Sequence, residues 1–139
     1  MAEYSQESLD RLSEAHGFIR SVCHVVIDYV DVKIGETYRG KELQNRYYRE
    51  GKSQLQYPAS MHNRQPAQAV HILPYPELWD APTERWYYVG GLVVGVANVI
   101  LPDRVRWRWG GDWDGDDIFS DQDFDDLAHH EIILEGDVY

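Results

Sequence analysis

The chain has one cysteine in 139 residues, few basic residues and no long apolar run. A single cysteine, Cys23, can form neither an intramolecular disulfide framework nor a thiolate zinc cluster. It lies in the apolar run 22–27, so we predict that it is buried. A metal site built from several thiolates is therefore excluded.

Basic residues are scarce: 13 Lys and Arg face 24 Asp and Glu, which gives a net charge of -11. Phosphate backbones and anionic membrane surfaces bind Lys and Arg and repel a chain of this charge. The longest weakly polar stretch, 87–101, is shorter than the roughly 20 residues that a spanning helix needs. We therefore expect no nucleic-acid partner and no membrane insertion.

The first residues, Met-Ala-Glu-Tyr-Ser-Gln-Glu, contain neither a basic n-region nor an apolar h-region. They do not have the pattern of a secretory signal, so we expect synthesis to end in the cytoplasm, and any action outside it to need another route across the membrane. Hydrophobic residues make up 43% of the chain and aromatic residues 13%, which is too apolar for a disordered chain. The length predicts a single domain over residues 1–139.

Hydrophobic periodicity and turn residues predict helices first and strands later. This order indicates an α+β domain, with a small and mainly antiparallel sheet and helices packed on it. The predicted elements are two helices within 5–28 separated at Gly17, a strand at 30–35, a helix at 39–50, an ordered loop or lid at 52–68, a strand at 69–73, a helix at 83–100, a strand at 105–109, an acidic loop at 110–125 and a strand at 127–134.

Histidines and carboxylates occur in four segments that are distant in sequence: 60–62, 69–71, 109–114 and 126–131. Zinc binds neutral imidazole or carboxylate, and a catalytic site takes three protein ligands and leaves a fourth position open. Side chains alternate along a strand, so His129 and Glu131 share one face of the last strand while His130 points to the other. Spacing alone leaves each histidine as either a ligand or a structural residue.

Four segments together resemble one family. Residues 60–76, SMHNRQPAQAVHILPYP, resemble S-x-H-N-x-x-P-x-x-A-V-D-[IV]-V-P-Y-P, and residues 108–116, RWGGDWDGD, match R-W-G-G-D-W-D-G-D. Residues 125–132, DDLAHHEI, resemble D-D-L-P-H-F-E-L, and residues 36–45, ETYRGKELQN, resemble E-G-Y-R-S-x-E-R-Q-N. In order and spacing these are similar to the motifs of the VanY-like zinc peptidases, which include the L-alanyl-D-glutamate and D-alanyl-D-alanine peptidases of phage endolysins.

The resemblance implies a hedgehog/D-Ala-D-Ala peptidase-like fold and a zinc-dependent peptidoglycan peptidase that hydrolyses an amide bond of the stem peptide or cross-link. It implies that His62, His71 and His129 hold Zn²⁺ and that Asp126 is the general base. It places Arg39 where the family binds a substrate carboxylate or carbonyl. An endolysin of this type would reach the cell wall from the host cytoplasm after holin-mediated release.

Three positions depart from the family pattern. His71 stands where the family has a liganding aspartate, Ala128 replaces a proline, and His130 replaces a phenylalanine. Three imidazoles still form a catalytic zinc site in carbonic anhydrase, so activity is compatible with this set. The alternative is a protein that kept the fold without catalysis, as a wall-binding or virion structural protein.

The acidic loop admits two interpretations. The alternating carboxylates Asp112, Asp114 and Asp116 are hard oxygen ligands of the kind calcium prefers. An EF-hand loop has its glycine after the third acidic residue, whereas Gly115 comes before it here. A solvated acidic loop is the other interpretation.

Overall fold

The computed structural model describes residues 2–120, 122 and 125–137. Helices come first and strands are spread along the chain, as predicted. The elements are α1 (Gln6–Leu12), α2 (Gly17–Val26), β1 (Val32–Ile34), α3 (Lys41–Arg49), β2 (Ala69–Pro74), α4 (Thr83–Ile100), β3 (Val105–Gly110) and β4 (Asp126–Leu134), with 3-10 turns at Met61–Asn63 and Leu78–Asp80.

The strands form one sheet in the order β1-β2-β4-β3, and each neighbouring pair is antiparallel. The predicted α+β class and antiparallel sheet are therefore confirmed. β4 is central, with β2 on one side and β3 on the other, so it lies between the two strands that carry His71 and Arg108. The pairing sets His71 opposite His129 and Arg108 opposite Glu131.

One face of the sheet is covered by α2 and α4. Alternate strand residues Val70, Ile72 and Ile132 are buried there in the main hydrophobic cluster, which both helices complete. Burial of an aliphatic side chain stabilises the fold by about 1.5–3 kcal/mol, so this pattern determines which face of each strand packs against the helices. His71 and His129, which alternate with these residues, are directed to the opposite face.

Gly90 of α4 allows the helix to lie close to β3. A Cβ at this position would lie 2.2 Å from Cζ2 of the Trp109 indole, which is far inside contact distance. The missing side chain thus admits the ring of Trp109, whose Nε1 donates to the carbonyl of Leu127 at 2.9 Å. This contact links α4, β3 and the start of β4.

Several predicted boundaries were wrong. Gly17 does not interrupt the helices but is the first residue of α2, and His16 caps that helix by accepting the Phe18 N–H on its Nδ1 at 3.1 Å. The interruption lies at 13–16, where Ala15 bridges to Ala67. β4 begins one residue earlier than predicted, at Asp126. None of the helices within the described ranges is long and apolar enough to cross a membrane.

Candidate metal centre

Three histidines from three different elements meet on the open face of the sheet. His62 comes from the 3-10 turn Met61–Asn63, His71 from β2 and His129 from β4, and one ligand nitrogen of each lies within 4.8 Å of the others. The ring centroids are 4.8 Å apart for His62 and His71 and 5.0 Å for His62 and His129. This spacing is suited to three nitrogens about 2.0–2.1 Å from one metal ion.

The turn that presents His62 is built by its neighbours in sequence. The Ser60 hydroxyl accepts the N–H of His62 at 3.2 Å, and the Asn63 side chain accepts the N–H of Ser60 at 3.1 Å. This reciprocal capping satisfies N–H groups that a short turn leaves without partners. The same amide donates to the carbonyl of Arg39 at 2.9 Å. The S-x-H-N spacing is therefore a structural requirement for holding His62.

The ring of His62 has a defined tautomer. Its Nδ1 lies 2.7 Å from the carbonyl oxygen of Thr37, which can only accept, so Nδ1 carries the hydrogen and Nε2 holds the lone pair. Nε2 is buried and has no hydrogen-bond partner within the described residues. Burial first, and then electrostatic repulsion between the protonated ring and His71, His129 and Arg39, hold the pKa of His62 well below its usual range. An orphaned, neutral, buried imidazole nitrogen is what a metal ligand requires.

His71 is also kept neutral. Burial lowers its pKa to about 3, with contributions from the charges of His129 and Arg39. The backbone of Gly35 lies beside His71, and its N–H donates to the carbonyl of His71 at 2.7 Å. The residues present therefore fit a metal bound through nitrogen, and they match the set predicted from the sequence.

β4 is irregular next to the histidines. Trp109 pairs with His130, but the next residue of β3, Gly110, pairs with Asp126, so Leu127–His129 have no counterpart on β3. Regular alternation would direct Asp126 to the same face as His130. Residues 127–129, which are unpaired on the β3 side, form a bulge that interrupts this alternation. Asp126 lines the groove with Asp125 and His129. The predicted general base thus lies at the candidate site.

Arg39 lies next to the turn that carries His62. It is 6% exposed, and its backbone N–H donates to the carbonyl of His62 at 2.7 Å. Its Nε donates to Glu36 at 2.6 Å and its Nη1 to the buried amide of Gln44 at 2.9 Å. The guanidinium also lies over the ring of Tyr47, 4.8 Å from the centroid. Its orientation is fixed before any ligand arrives.

The histidines lie in a groove of about 1350 Å³. Trp79, which is 64% exposed, and Trp113 lie beside His71 and His129, at centroid distances of 6.2 and 5.5 Å. Although the whole chain is acidic, basic side chains line this groove alongside acidic ones. They are Arg11, Lys33, Arg39, Lys52 and Arg108.

His130 lies away from the three histidines, as strand alternation predicts. It is fully buried between indole rings, stacked on Trp109 with centroids 6.1 Å apart, and its Nδ1 accepts the Nε1–H of Trp107 at 3.0 Å. Burial and the charges of His129 and His71 hold its pKa well below the usual range. It is a neutral core histidine.

The acidic loop brings Asp112, Asp114 and Asp116 together, with one oxygen of each within 4.8 Å of the others. Asp112 Oδ2 accepts the N–H of Asp117 at 3.0 Å, and Asp116 accepts the N–H of Ile118 at 2.8 Å. These bonds serve the turn itself, while the remaining oxygen of Asp112 is buried without a partner within the described residues. The geometry is compatible with both interpretations made from the sequence.

Sequence reasoning assigned no role to four residues that support the site. Glu36 and Gln44 accept hydrogen bonds from Arg39, and Glu131 contacts His129 and accepts from Arg108. The shared strand face of His129 and Glu131 was visible as period-two spacing. The partnership with Arg108 depends on the register of β3 against β4, which the sequence does not show.

No protein-family model matches the chain, and no curated protein sequence matches it. Among solved structures, the chain is similar to the L-Ala D-Glu endopeptidase ChiX of Serratia marcescens, with a TM-score of 0.72 and 19% sequence identity. The match covers 95% of this chain and 91% of that one. At this identity the likeness establishes a shared fold.

Proposed function

We propose that this protein is a zinc-dependent peptidoglycan peptidase of the endolysin type, which hydrolyses an amide bond of the stem peptide or cross-link. The observation that carries the proposal is the buried, unpartnered Nε2 of His62, directed into a cluster with His71 and His129. The family motifs in the sequence and the fold shared with an L-Ala D-Glu endopeptidase support the same function.

Zinc is the metal that the donor set favours. All three candidate ligands are imidazoles, and His62 and His71 are kept neutral by burial, so they need not lose a proton to bind. Three protein ligands leave a position open for water or substrate. When bound, zinc supplies positive charge that polarises the scissile carbonyl and makes water acidic enough to react near neutral pH.

Asp126 takes the proton of the attacking water in this proposal. It is half-buried at the start of β4 and lines the groove with His129. A carboxylate in that place can act as general base once water and substrate lie within about 2.6–3.2 Å. Arg39, whose guanidinium is fixed by Glu36 and Gln44, directs its remaining N–H groups toward a carboxylate or carbonyl of the substrate.

The groove has surfaces on which a stem peptide can pack. Its basic side chains offset the charge of the acidic ones around the histidines, and Trp79 and Trp113 provide flat apolar surfaces for the stem. Peptidoglycan stems carry free carboxylates next to their amide bonds. We propose that the enzyme acts on them after release from the cytoplasm of the host.

The test combines metal analysis with mass spectrometry of digested sacculi. The purified protein should hold about one zinc per chain and release fragments whose masses identify the bond that is cut. Removal of zinc by a chelator should stop the release, and added zinc should restore it. Zinc bound without any fragments would instead favour a non-catalytic wall-binding or virion protein.

Asp126→Asn and Asp125→Asn form a matched pair, because the two carboxylates are adjacent and both line the groove. Loss of a general base typically costs about 10²–10⁴-fold in rate, so Asp126→Asn should lose that much kcat while it keeps zinc. Asp125→Asn should retain most of the activity. Equal effects of the two substitutions would contradict the role given to Asp126.

A further inference from the structure

Glu131 connects the candidate metal centre to β3. Its Oε1 lies 2.6 Å from Nε2 of His129, and its Oε2 accepts from Nη2 of Arg108 at 2.8 Å and from Nε at 3.2 Å. Glu131 is 5% exposed, so these contacts are formed away from bulk water. Each carboxylate oxygen therefore has a separate partner.

The sheet register produces this chain of contacts. His129 and Glu131 are two residues apart on β4, so their side chains emerge on the same face. Arg108 is the partner of Glu131 across the β3–β4 ladder, which brings the guanidinium beside the carboxylate. Arg108 also lies over the ring of Trp113, 5.4 Å from its centroid. The carboxylate is thus held from the side remote from the histidine.

The bond to Glu131 decides which nitrogen of His129 is left for a ligand. Both Nε and Nη2 of Arg108 donate to Oε2 of Glu131, and a guanidinium that is always a cation pairs in this way with an ionised carboxylate. An ionised carboxylate only accepts, so the hydrogen between the two groups belongs to Nε2 of His129. The lone pair of a neutral His129 is then on Nδ1.

We infer that Glu131, held in place by Arg108, is a positioning residue that makes His129 bind the metal through Nδ1, whereas His62 binds through Nε2. The inference rests on the proposed metal site. His62 has the opposite arrangement, because its Nδ1 is bound to the Thr37 carbonyl and its Nε2 is free. The two histidines therefore approach one ion with different edges of their rings.

A carboxylate bound to the far nitrogen of a metal-ligating histidine has two effects. It prevents the ring from rotating, and it raises the basicity of the ligating nitrogen. Loss of such a partner typically costs about 10–100-fold in metal affinity. Glu131→Ala should therefore weaken zinc binding by that factor. Glu131→Gln retains an acceptor of the same shape without the charge and should lose less.

The first experiment is nitrogen-15 NMR of the histidine rings in the zinc-loaded protein. Two-bond proton–nitrogen correlations distinguish a protonated ring nitrogen from a metal-bound one. For His129 we expect a protonated, slowly exchanging Nε2 and a metal-bound Nδ1, and for His62 the reverse. A metal-bound Nε2 on His129 would overturn the inference.

The second experiment measures zinc affinity by competition with a chelator for the wild type, Glu131→Ala and Glu131→Gln. Glu135→Gln is the matched control, because Glu135 is exposed just beyond β4 and the same charge is removed. It should bind zinc as the wild type does. Circular dichroism without metal establishes that each variant folds, and the isosteric Glu131→Gln keeps the test informative if Glu131→Ala does not. Unchanged affinity in the folded variants would overturn the inference.

Failure of the proposed function gives a different result. If the wild type binds no zinc, the peptidase proposal fails, and the ring spectrum of the metal-free protein still tests the inference about Glu131. At a pH where His129 is neutral, that spectrum should show hydrogen on Nε2. Hydrogen on Nδ1 would show that Glu131 does not set the tautomer.

Discussion

The buried histidines should make the metal-free protein sensitive to mild acid. His62, His71 and His130 have pKa values lowered mainly by burial, to about 3 for His71 and well below the usual range for the other two. In the unfolded chain each titrates near 6.5. Between these values the unfolded state binds more protons than the native state, so stability falls as the pH falls below about 6.5.

The size of the loss follows from the shifts. Each histidine that stays neutral in the native state lowers the free energy of unfolding by about 1.4 kcal/mol for every pH unit below its unfolded pKa. Over the interval from pH 6.5 to 5 this amounts to about 2 kcal/mol for each histidine. Carboxylates contribute little there, because they titrate near pH 4 in the unfolded chain. The total would be a large part of an ordinary domain's stability of about 5–15 kcal/mol.

His130→Phe tests the contribution of one residue. It removes a buried imidazole that lies away from the candidate metal centre and introduces the residue found in the family pattern. Urea unfolding of the metal-free protein at pH 7 and pH 5 should show about 2 kcal/mol less acid destabilisation in this variant. The prediction concerns the difference between the free energies of unfolding at the two pH values. The cost of losing the hydrogen bond from Trp107 is present at both pH values and therefore largely cancels.

The exposed His24 provides the control, since His24→Gln removes a histidine without altering the buried set. This variant should keep the loss of stability at pH 5 that the buried histidines cause. If the wild type has the same free energy of unfolding at pH 7 and pH 5, to within about 0.5 kcal/mol, then the histidines are not held neutral in the folded protein and the reasoning is refuted.

Substitutions at Gly110, His71 and Arg39 test the groove and its surroundings, with Gly95→Ala as a control. Gly110→Ala places a Cβ 2.0 Å from the carbonyl oxygen of Asp126, so thermal unfolding should show a free energy of unfolding lower by about 1–3 kcal/mol. Gly95→Ala, in open space on α4, should instead raise the free energy of unfolding by about 0.5–1 kcal/mol. His71→Asp should keep one zinc per chain. His71→Ala should weaken zinc binding by more than the roughly 10–100-fold that loss of a supporting residue costs. Equal zinc affinities of the wild type and His71→Ala would show that His71 is not a ligand. Arg39→Lys cannot reproduce the forked contacts, so KM should rise more than kcat falls in a peptide-release assay, and an unchanged KM would count against a substrate contact.

Local patterns in the sequence were enough to predict the elements, and the family resemblance supplied the candidate residues. The alternation in β3 and the proline at 102 just beyond α4 are local features of the sequence, so the bounds of these two elements agree closely with the prediction. The S-x-H-N segment is similarly local, because Ser60 and Asn63 cap the turn of His62 themselves. Period-two spacing also separated His129 from His130.

The way in which these segments combine depends on contacts between strands that are far apart in sequence. The convergence of His62, His71 and His129 depends on strand order and register, which join residues far apart in sequence. The β4 bulge, which lets Asp126 line the same groove as His129, has no local signal, because it arises from how β3 and β4 pair. The bond between Glu131 and Arg108 likewise depends on two strands meeting at one register. Spacing along one chain defines the face of a strand, but not the strand that lies beside it.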